Sequence, residues 1–389
     1  MNVLITGAKG FIGKNLQSHL IERQAIQVRC FTRGDDVAQL PALLKNVDFV
    51  FHLAGVNRPL NPLDSAEFAL GNTGLTQALC KAVGAVADAT GRKIPVVFTS
   101  STQALLDNAY GASKLAAEEA LFALQREQGV PVSVFRLPNV FGKWCRPHYN
   151  SGVASFCHNI ARGLPITVHD PSAPITLVYV DDVVARFLQL MESALGVDVA
   201  GVAGVDTAVD AQGFATVSPQ YTQTVGELVR LIQSFKDSRH TQMLDRVGTG
   251  LVRALYATYV SHLPPELFAY PLAQHADPRG VFVEVLKTPD CGQFSYFTAL
   301  PGITRGGHYH HTKTEKFLVV KGQARFRFKH MQTGQSHEIL TRGDLATVVE
   351  TVPGWTHDIT NVGTDEMIVM LWANEVFDRA RPDTFACAV

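Results

Sequence analysis

The sequence predicts two domains of different class. A doubly wound α/β domain on a parallel sheet spans residues 1–262, an antiparallel β-barrel of jelly-roll type spans 275–389, and a linker at 263–274 joins them. Three observations carry this expectation. Short β-branched or aromatic runs alternate with helix-patterned stretches through the first part, which is how parallel strands with crossover helices read. A glycine-spaced turn, Gly7-x2-Gly10-x2-Gly13, follows the first of these runs directly. Beyond Leu263 the helical pattern gives way to short strand-like runs parted by Gly, Pro and Asp.

The strand-like runs of the first part lie at 3–5, 28–31, 49–52, 96–99 and 132–137. Leu263-Pro264-Pro265 and Tyr270-Pro271 punctuate the linker, and further runs follow at 281–286, 294–298, 317–320, 324–328, 345–349 and 367–372. Residues 197–220, rich in Gly, Ala, Val and Asp with little pattern, read as a surface insertion. With 389 residues, 46% of them apolar, the chain has enough material for two cores. Its 34 basic and 35 acidic residues leave a net charge of -1, so no positive field draws it to nucleic acid or anionic lipid, and the expected partner is a small molecule. No apolar run reaches the ~18 residues of a membrane span, and no charged leader precedes residues 3–5, so the protein is expected in the cytoplasm. Cys30, Cys80, Cys145, Cys157, Cys291 and Cys387 form no CxxC pair and are expected to be reduced and mostly buried.

The turn Gly7-x2-Gly10-x2-Gly13 leads into a helix opened by Phe11 and Ile12, so backbone can approach a diphosphate at a positive helix end. Where an NAD site places a carboxylate after the second strand, this chain has Arg29, Thr32 and Arg33, with Asp35 only later. Cations suit a 2′-phosphate, so NADPH is the expected cofactor. Tyr110 and Lys114 stand at helical i, i+4 spacing on one face. A phenol lowered in pKa by an adjacent ammonium passes a proton to a carbonyl oxygen as hydride arrives. Ser101 closes the run at 96–99, at the carboxyl edge where such sheets bind ligands.

These features, with His52-Leu53-Ala54-Gly55, Asn72 in Gly71-Asn72-Thr73-Gly74, Arg136-Leu137-Pro138-Asn139-Val140-Phe141-Gly142 and Tyr179-Val180-Asp181-Asp182-Val183, resemble the extended short-chain dehydrogenase/reductases that modify nucleotide sugars. The resemblance implies a Rossmann-type sheet with Tyr110 as acid, Lys114 on the nicotinamide ribose and Ser101 orienting the substrate oxygen. It also implies Leu53, Ala54, Gly55, Asn72 and Pro138 as cofactor contacts and Asn139 at the start of the sugar-diphosphate segment. The stretch that follows holds Lys143, Trp144 and Arg146, cations and an aromatic ring suited to a pyrophosphate and a uracil or sugar ring. Asp181 and Asp182 read as structural caps.

In the second part, Gly302-x5-His308-x-His310-x4-Glu315-x6-Gly322 is the densest chemical signal. Residues i and i+2 of a strand share a face, so His308 and His310 point together, Glu315 returns from the next strand, and Gly354-x2-His357-x3-Asn361 adds His357. Three imidazoles and a carboxylate suit zinc, iron, manganese or nickel. His311 is a further imidazole, read as ligand, base or solvent-facing group. Both segments resemble the two signatures of the cupin family, and Asp277-x-Arg279-Gly280-x-Phe282-x-Glu284 resembles the first strand of sugar-nucleotide 3,5-epimerase cupins, where the matching arginine touches the nucleotide sugar.

A proton beside a ketone is acidic because the charge left behind spreads onto oxygen. Epimerisation at that carbon must therefore precede reduction of the ketone. The fusion as a whole resembles the bifunctional capsule and O-antigen enzymes of the UDP-N-acetyl-L-fucosamine pathway. That resemblance implies C3 epimerisation of a UDP-2-acetamido-2,6-dideoxy-4-hexulose in a zinc-binding cupin, with His308 also assigned to catalysis. NADPH-dependent C4 reduction to UDP-2-acetamido-2,6-dideoxy-L-talose follows, in a homodimer. Two other functions fit the residues: a dTDP-4-keto-rhamnose-type reductase with a structural cupin, and a non-catalytic protein that senses NADP(H) and metal.

Overall fold

The structure is a computed structural model. It describes every residue except 24, 60–64, 195, 197–208, 274, 278–279, 283–284, 287, 289–291 and 376–379, and for 275–277, 280–282 and 293 the backbone alone. The first half of the chain runs β1 (Asn2–Thr6), α1 (Phe11–Ile21), β2 (Gln27–Phe31), α2 (Leu40–Leu44), β3 (Phe49–His52), α3 (Ala66–Phe68), a π-helical turn (Ala69–Gly74), α4 (Leu75–Thr90), β4 (Val96–Ser101), α5 (Ala109–Gln128), β5 (Val132–Leu137), β6 (Asn139–Phe141), α6 (Gly152–Arg162), β7 (Pro174–Tyr179) and α7 (Val180–Ala194). Then come β8 (Tyr221–Thr224), α8 (Val225–Thr241), α9 (Gly250–Ser261), β9 (Ala269–Pro271), β10 (His275–Asp277), β11 (Gly280–Phe282), β12 (Gln293–Ala299), β13 (Thr304–Tyr309), β14 (Glu315–Lys321), β15 (Gln323–His330), β16 (Ser336–Arg342), β17 (Thr347–Glu350), β18 (Trp355–Asn361), β19 (Met367–Ala373) and β20 (Phe385–Ala386). Contacts gather these into two compact units, Met1–Val140 with Thr176–Thr222 and Phe141–Ile175 with Gln223–Val389.

In the first unit the strands form a sheet ordered β2-β1-β3-β4-β5, parallel throughout. Successive residues of a strand face opposite ways, and both faces here are covered, which is why β3 and β4 read as almost unbroken apolar runs. Leu4, Val50, Val96, Phe98 and Val134 pack on one face with Leu79 and Val83 of α4 and Leu121 of α5. Val3, Ile5, Phe49, Phe51, Val97 and Phe135 pack on the other with Leu16 of α1 and Val184 and Phe187 of α7. The order reverses between β1 and β3, the switch point at which such sheets hold ligands.

The described part of the expected surface insertion is not all surface. Phe214, Ala215 and Val217 are buried in the two cores, and the Ala215 amide bonds the Val134 carbonyl at 2.9 Å. Three apolar residues spaced among polar ones make a real anchor that no periodicity reveals; residues 197–208 lie outside the described residues. Among the five described cysteines only Cys145 and Cys157 are buried, while Cys80 and Cys387 are half-buried and Cys30 is exposed.

The second unit holds two five-stranded sheets, β12-β19-β14-β17-β9 and β16-β15-β18-β13-β20, whose pairs are antiparallel. Their inner faces meet through aromatics such as Phe317 of β14 and Phe326 of β15, with ring centroids 5.7 Å apart. This is the expected jelly-roll arrangement. Helices α8 and α9 pack on the outside of β14 and β17. There Lys316, one residue past Glu315 and so on the opposite face, meets Glu350, and Glu350 also takes Arg239 of α8. Although burial opposes its charge, Arg239 and Lys316 hold the Glu350 carboxyl below its ordinary range. Replacing one partner of such a set leaves an uncompensated buried charge, which fixes how the helices dock.

Candidate active site and metal centre

The glycine turn of the first unit is built by close approach. Gly7 has φ +72°, and a Cβ there would sit 2.6 Å from the Ala54 amide nitrogen. A Cβ on Gly13 would lie 2.4 Å from the Gly7 carbonyl oxygen, so α1 can begin this close to β1 only without one. Gly10 caps α1 with no side-chain hydrogen bond, leaving the amides of the first turn, which starts at Phe11 and Ile12, open to an anion. Lys9 lies inside this turn and exerts its charge on Asp35, a cation the sequence reasoning passed over although it stands within the fingerprint. Thr32 and Arg33 follow the end of β2, where the Asp35 carboxylate is taken up by the Thr32 amide and hydroxyl at 2.6 and 3.0 Å. Arg29 is placed differently, lining a shallow cleft with Asn2, Gln27, Lys45, Asn46, Asp48 and Arg92.

From the carboxyl ends of β1 and β3 a buried chain of hydrogen bonds runs to α5. Thr76 donates its hydroxyl to the Asn72 carbonyl at 2.7 Å, so toward His52 Nε2, 2.8 Å away, it can only accept. His52 is therefore the Nε2–H tautomer, and its Nδ1 accepts from the Thr6 hydroxyl at 2.6 Å. The Thr6 oxygen in turn accepts from the Ala54 amide at 3.2 Å. Burial brings the His52 pKa down to about 3, with Lys114 adding to the effect, so the ring stays neutral. The Asn72 side chain holds both backbone groups of Val56 and donates to Ser113 Oγ at 2.9 Å, and Ser113 donates to the Tyr110 carbonyl at 2.7 Å. Asn72 lies in the π-helical turn Ala69–Gly74, which turns its side chain into this chain. Leu53, Ala54, Gly55 and Asn72 are thus brought against the glycine turn and α5.

Helix α5 starts at Ala109 because Asn108 caps it, accepting from the Gly111 amide at 2.8 Å. Tyr110 and Lys114 fall in its first two turns. Lys114 is buried, and its ammonium donates to the Thr99 carbonyl at 2.9 Å. A Cβ on Gly55 would be 3.0 Å from that Nζ and 3.1 Å from Asn72 Oδ1, so a glycine there keeps room beside the lysine. Burial lowers the Lys114 pKa to about 8 against the opposing pull of Glu118. Glu118 is itself buried, accepts from Ser100 and binds Arg136 through two nitrogens, the shortest contact being 2.6 Å. The Tyr110 hydroxyl donates to Asn57 Oδ1 at 3.2 Å. Its pKa does not fall as the sequence suggested: burial pushes it up, against the lowering effect of the Ser101 hydroxyl. The Ser101 hydroxyl thus lies beside the Tyr110 phenol. Asn139 bonds the Thr176 carbonyl at 3.1 Å, and Pro138 immediately precedes it.

In the second unit, Lys143 is buried with its ammonium 5.4 Å from the centre of the Trp144 ring, and Trp144 adopts φ +67°. The Trp144 indole covers Gly354, where a Cβ would lie 2.8 Å from Nε1. Arg146 is exposed and stacks its guanidinium 5.3 Å from the Tyr149 ring centre. Arg279 lies outside the described residues.

His308, His310, Glu315 and His357 do meet, each offering one ligand atom within 4.8 Å of all the others. His308 of β13 stands directly across from His357 of β18, past a bulge at Gly306, and Glu315 enters from β14 of the other sheet. His357 is buried, and neither ring nitrogen has a hydrogen-bond partner; Nε2 is 3.6 Å from Glu315 Oε2. Although burial opposes it, His310 and His357 hold the Glu315 carboxyl well below its ordinary range, so it is anionic. Burial and the neighbouring His357 and His310 bring His308 down to about 3, leaving it neutral. Orphaned buried nitrogens beside a carboxylate are what a cation relieves. Tetrahedral donors at about 2.1 Å from one ion lie about 3.4 Å apart, and these four lie within 4.8 Å of one another, so the set would draw inward around an ion. The residues fit a divalent metal. His311 is buried rather than solvent-facing, edge-on to Phe385 with ring centroids 5.1 Å apart.

Comparison with known proteins agrees with this pairing. Residues 3–200 match the NAD dependent epimerase/dehydratase family and residues 275–385 the polysaccharide biosynthesis C-terminal domain. A Pseudomonas aeruginosa protein, UDP-2-acetamido-2,6-beta-L-arabino-hexul-4-ose reductase, is 58% identical over 389 residues, all of this chain and 99% of the relative. The crystal structure of the capsular polysaccharide assembling protein CapF from Staphylococcus aureus is 41% identical, covers the whole of both chains and superposes with a TM-score of 0.65. UDP-glucuronic acid decarboxylase 5 of Arabidopsis thaliana is 25% identical over 236 residues, 49% of this chain and 67% of that one. Among the described residues no helix is long and apolar enough to cross a membrane. The chain is an enzyme of the NAD dependent epimerase/dehydratase family, joined to a carboxyl-terminal polysaccharide-biosynthesis domain.

Proposed function

We propose that the chain is a bifunctional UDP-sugar enzyme. It inverts C3 of a UDP-2-acetamido-2,6-dideoxy-4-hexulose in its cupin half and reduces the C4 ketone in its dehydrogenase half, giving UDP-2-acetamido-2,6-dideoxy-L-talose. The observation that carries this is the presence, in one chain, of a tyrosine acid beside a nucleotide turn and of a cation-seeking histidine cage, along the whole length of a relative named as a 4-ulose reductase.

In the dehydrogenase half a bound nicotinamide cofactor supplies hydride. Arg33 and Lys9 present the positive charge that favours a 2′-phosphate, hence NADPH. The Tyr110 hydroxyl gives its proton to the ketone oxygen, and Ser101, in contact with that hydroxyl, orients the same oxygen. Because burial keeps the phenol protonated, it is poised as a donor. Lys114, held by Thr99 and facing Gly55 and Asn72, binds the ribose. In the cupin half a divalent metal, zinc foremost, supplies stabilisation of the enolate oxygen. His310, Glu315 and His357 would hold it, and His308, less buried than the other three, would keep its lone pair free to take and return the C3 proton. Epimerisation comes first because reduction of the ketone ends the acidity of that carbon.

The test uses the full chain with a UDP-2-acetamido-2,6-dideoxy-4-hexulose in heavy water, followed by NMR. Solvent deuterium should enter C3 without NADPH, and NADPH should then convert the labelled sugar to the talo product. Tyr110→Phe should slow NADPH oxidation about 100- to 10,000-fold while C3 exchange continues. Absence of C3 exchange in the wild-type chain, or an unchanged stereocentre in the product, overturns the reading.

A further inference from the structure

Asp383 lies far along the chain from the cage residues but is wired into them. Its backbone carbonyl accepts from His310 Nδ1 at 2.6 Å. Its carboxylate takes the amides of His311, Thr312 and Lys313 at 2.9, 2.9 and 2.7 Å and the Thr312 hydroxyl at 3.1 Å. Those three residues are most of the loop that carries the chain from His310 to Glu315. The segment around Asp383 is itself clamped. Lys313 donates to the Thr384 hydroxyl at 2.7 Å, β20 pairs with β13 at His308 and Tyr309, and the Cys387 amide bonds the Gly307 carbonyl at 2.8 Å. Asp383 adopts φ +37°, a left-handed conformation that costs a non-glycine residue energy and persists only where its surroundings enforce it.

We propose that Asp383 is a positioning residue for the metal, fixing His310 with Nε2 turned into the cage and holding the His310–Glu315 loop at the span one ion requires. The proposal rests on the metal reading of the cage. A carbonyl oxygen only accepts, so a 2.6 Å contact with Nδ1 requires the proton on Nδ1. In the neutral ring the lone pair is then on Nε2, 3.0 Å from the Glu315 carboxylate oxygen. That contact is held either by a proton on Nε2 or by a metal ion that both atoms ligate, and in each case Nε2 faces the cage because Nδ1 is fixed on the Asp383 carbonyl. The backbone of Asp383 thus sets the direction of one ligand, and its side chain sets the distance to the next. Outer contacts of this kind typically change metal affinity about 10- to 100-fold.

The test compares the full chain with Asp383→Ala and Asp383→Asn after stripping with a chelator. Each is titrated with Co(II), read by visible absorption, and with Zn(II), read by competition with a chromophoric chelator; urea unfolding in excess EDTA reports the metal-free fold. Asp383→Ala is expected to weaken Zn(II) about 10- to 100-fold and to alter the Co(II) spectrum, with Asp383→Asn between it and wild type, since asparagine tolerates the left-handed backbone but lacks the second acceptor oxygen. A merely structural role would lower the EDTA unfolding midpoint and leave affinity and spectrum unchanged, which overturns the proposal. Wild-type affinity in Asp383→Asn overturns it also if Asp383→Ala does not fold. A wild-type chain that takes up neither ion overturns the metal reading and this proposal together, whereas uptake by wild type and equal uptake by both variants overturns the proposal alone.

Discussion

The two sites treat buried polarity in opposite ways. Around the nucleotide turn every ring nitrogen is spoken for: His52 donates to Thr76 and accepts from Thr6, and the chain continues through Asn72 and Ser113 to the backbone of Tyr110. In the cage His357 is enclosed with neither ring nitrogen in a hydrogen bond, its Nε2 standing 3.6 Å from the anionic Glu315 carboxylate. The physical difference is residence. On the proposed reading, a site whose organic ligand leaves with each turnover is self-satisfied when empty, whereas a cage for a resident cation leaves its donors open because the cation is their partner.

The largest effect expected from this contrast is on stability with metal. Zinc at about 1,000 times its Kd should raise the unfolding free energy of the wild-type chain by ~4 kcal/mol over the chelated form. His357→Leu should abolish that gain and, in EDTA, be no less stable than wild type, because it removes the orphaned nitrogens. Urea unfolding with and without zinc measures both; a His357→Leu chain clearly weaker in EDTA would erase the contrast. Next in size, Thr76→Val removes the acceptor of the His52 Nε2–H and should cost about 1–3 kcal/mol equally with zinc and with EDTA. A zinc-dependent cost would mean the network serves the metal as well. The smallest effect is a shift in a pH profile. Lys114 titrates at about 8, so kcat/KM for ketone reduction should decline as pH rises through that value and the ammonium is lost. Glu118 is the group that raises the Lys114 pKa, so Glu118→Gln should move this alkaline limb to lower pH. A limb that stays in place would show that Lys114 does not set it.

Local signals were the legible ones. Gly7, Gly10 and Gly13 declare a turn because close approach excludes a Cβ at each end of it, and Tyr110 and Lys114 share a face through helical geometry alone. The cage was legible because His308, His310 and Glu315 lie within eight positions of sequence. The strand that carries His357 was not. β18 reads Trp-Thr-His-Asp-Ile-Thr-Asn and every residue of it is buried, so no alternation of apolar and polar residues marks it. The direction of the Tyr110 shift was misread for a related reason. Spacing put an ammonium on the same helix face as the phenol, but the phenol is enclosed and burial is the stronger influence.

What the sequence determined by itself was the inventory: an α/β half and an antiparallel half, a glycine turn, a candidate proton donor and a candidate ligand set, each written within one turn, one helix face or one short segment. Tertiary structure alone decided the tautomer of His52, the burial that keeps Tyr110 protonated, the docking of Phe214 into a core and the reach of Asp383 back to His310. Those depend on which groups are left without water and which distant atoms then satisfy them. Desolvation is a property of the packed whole, and no window of residues contains it.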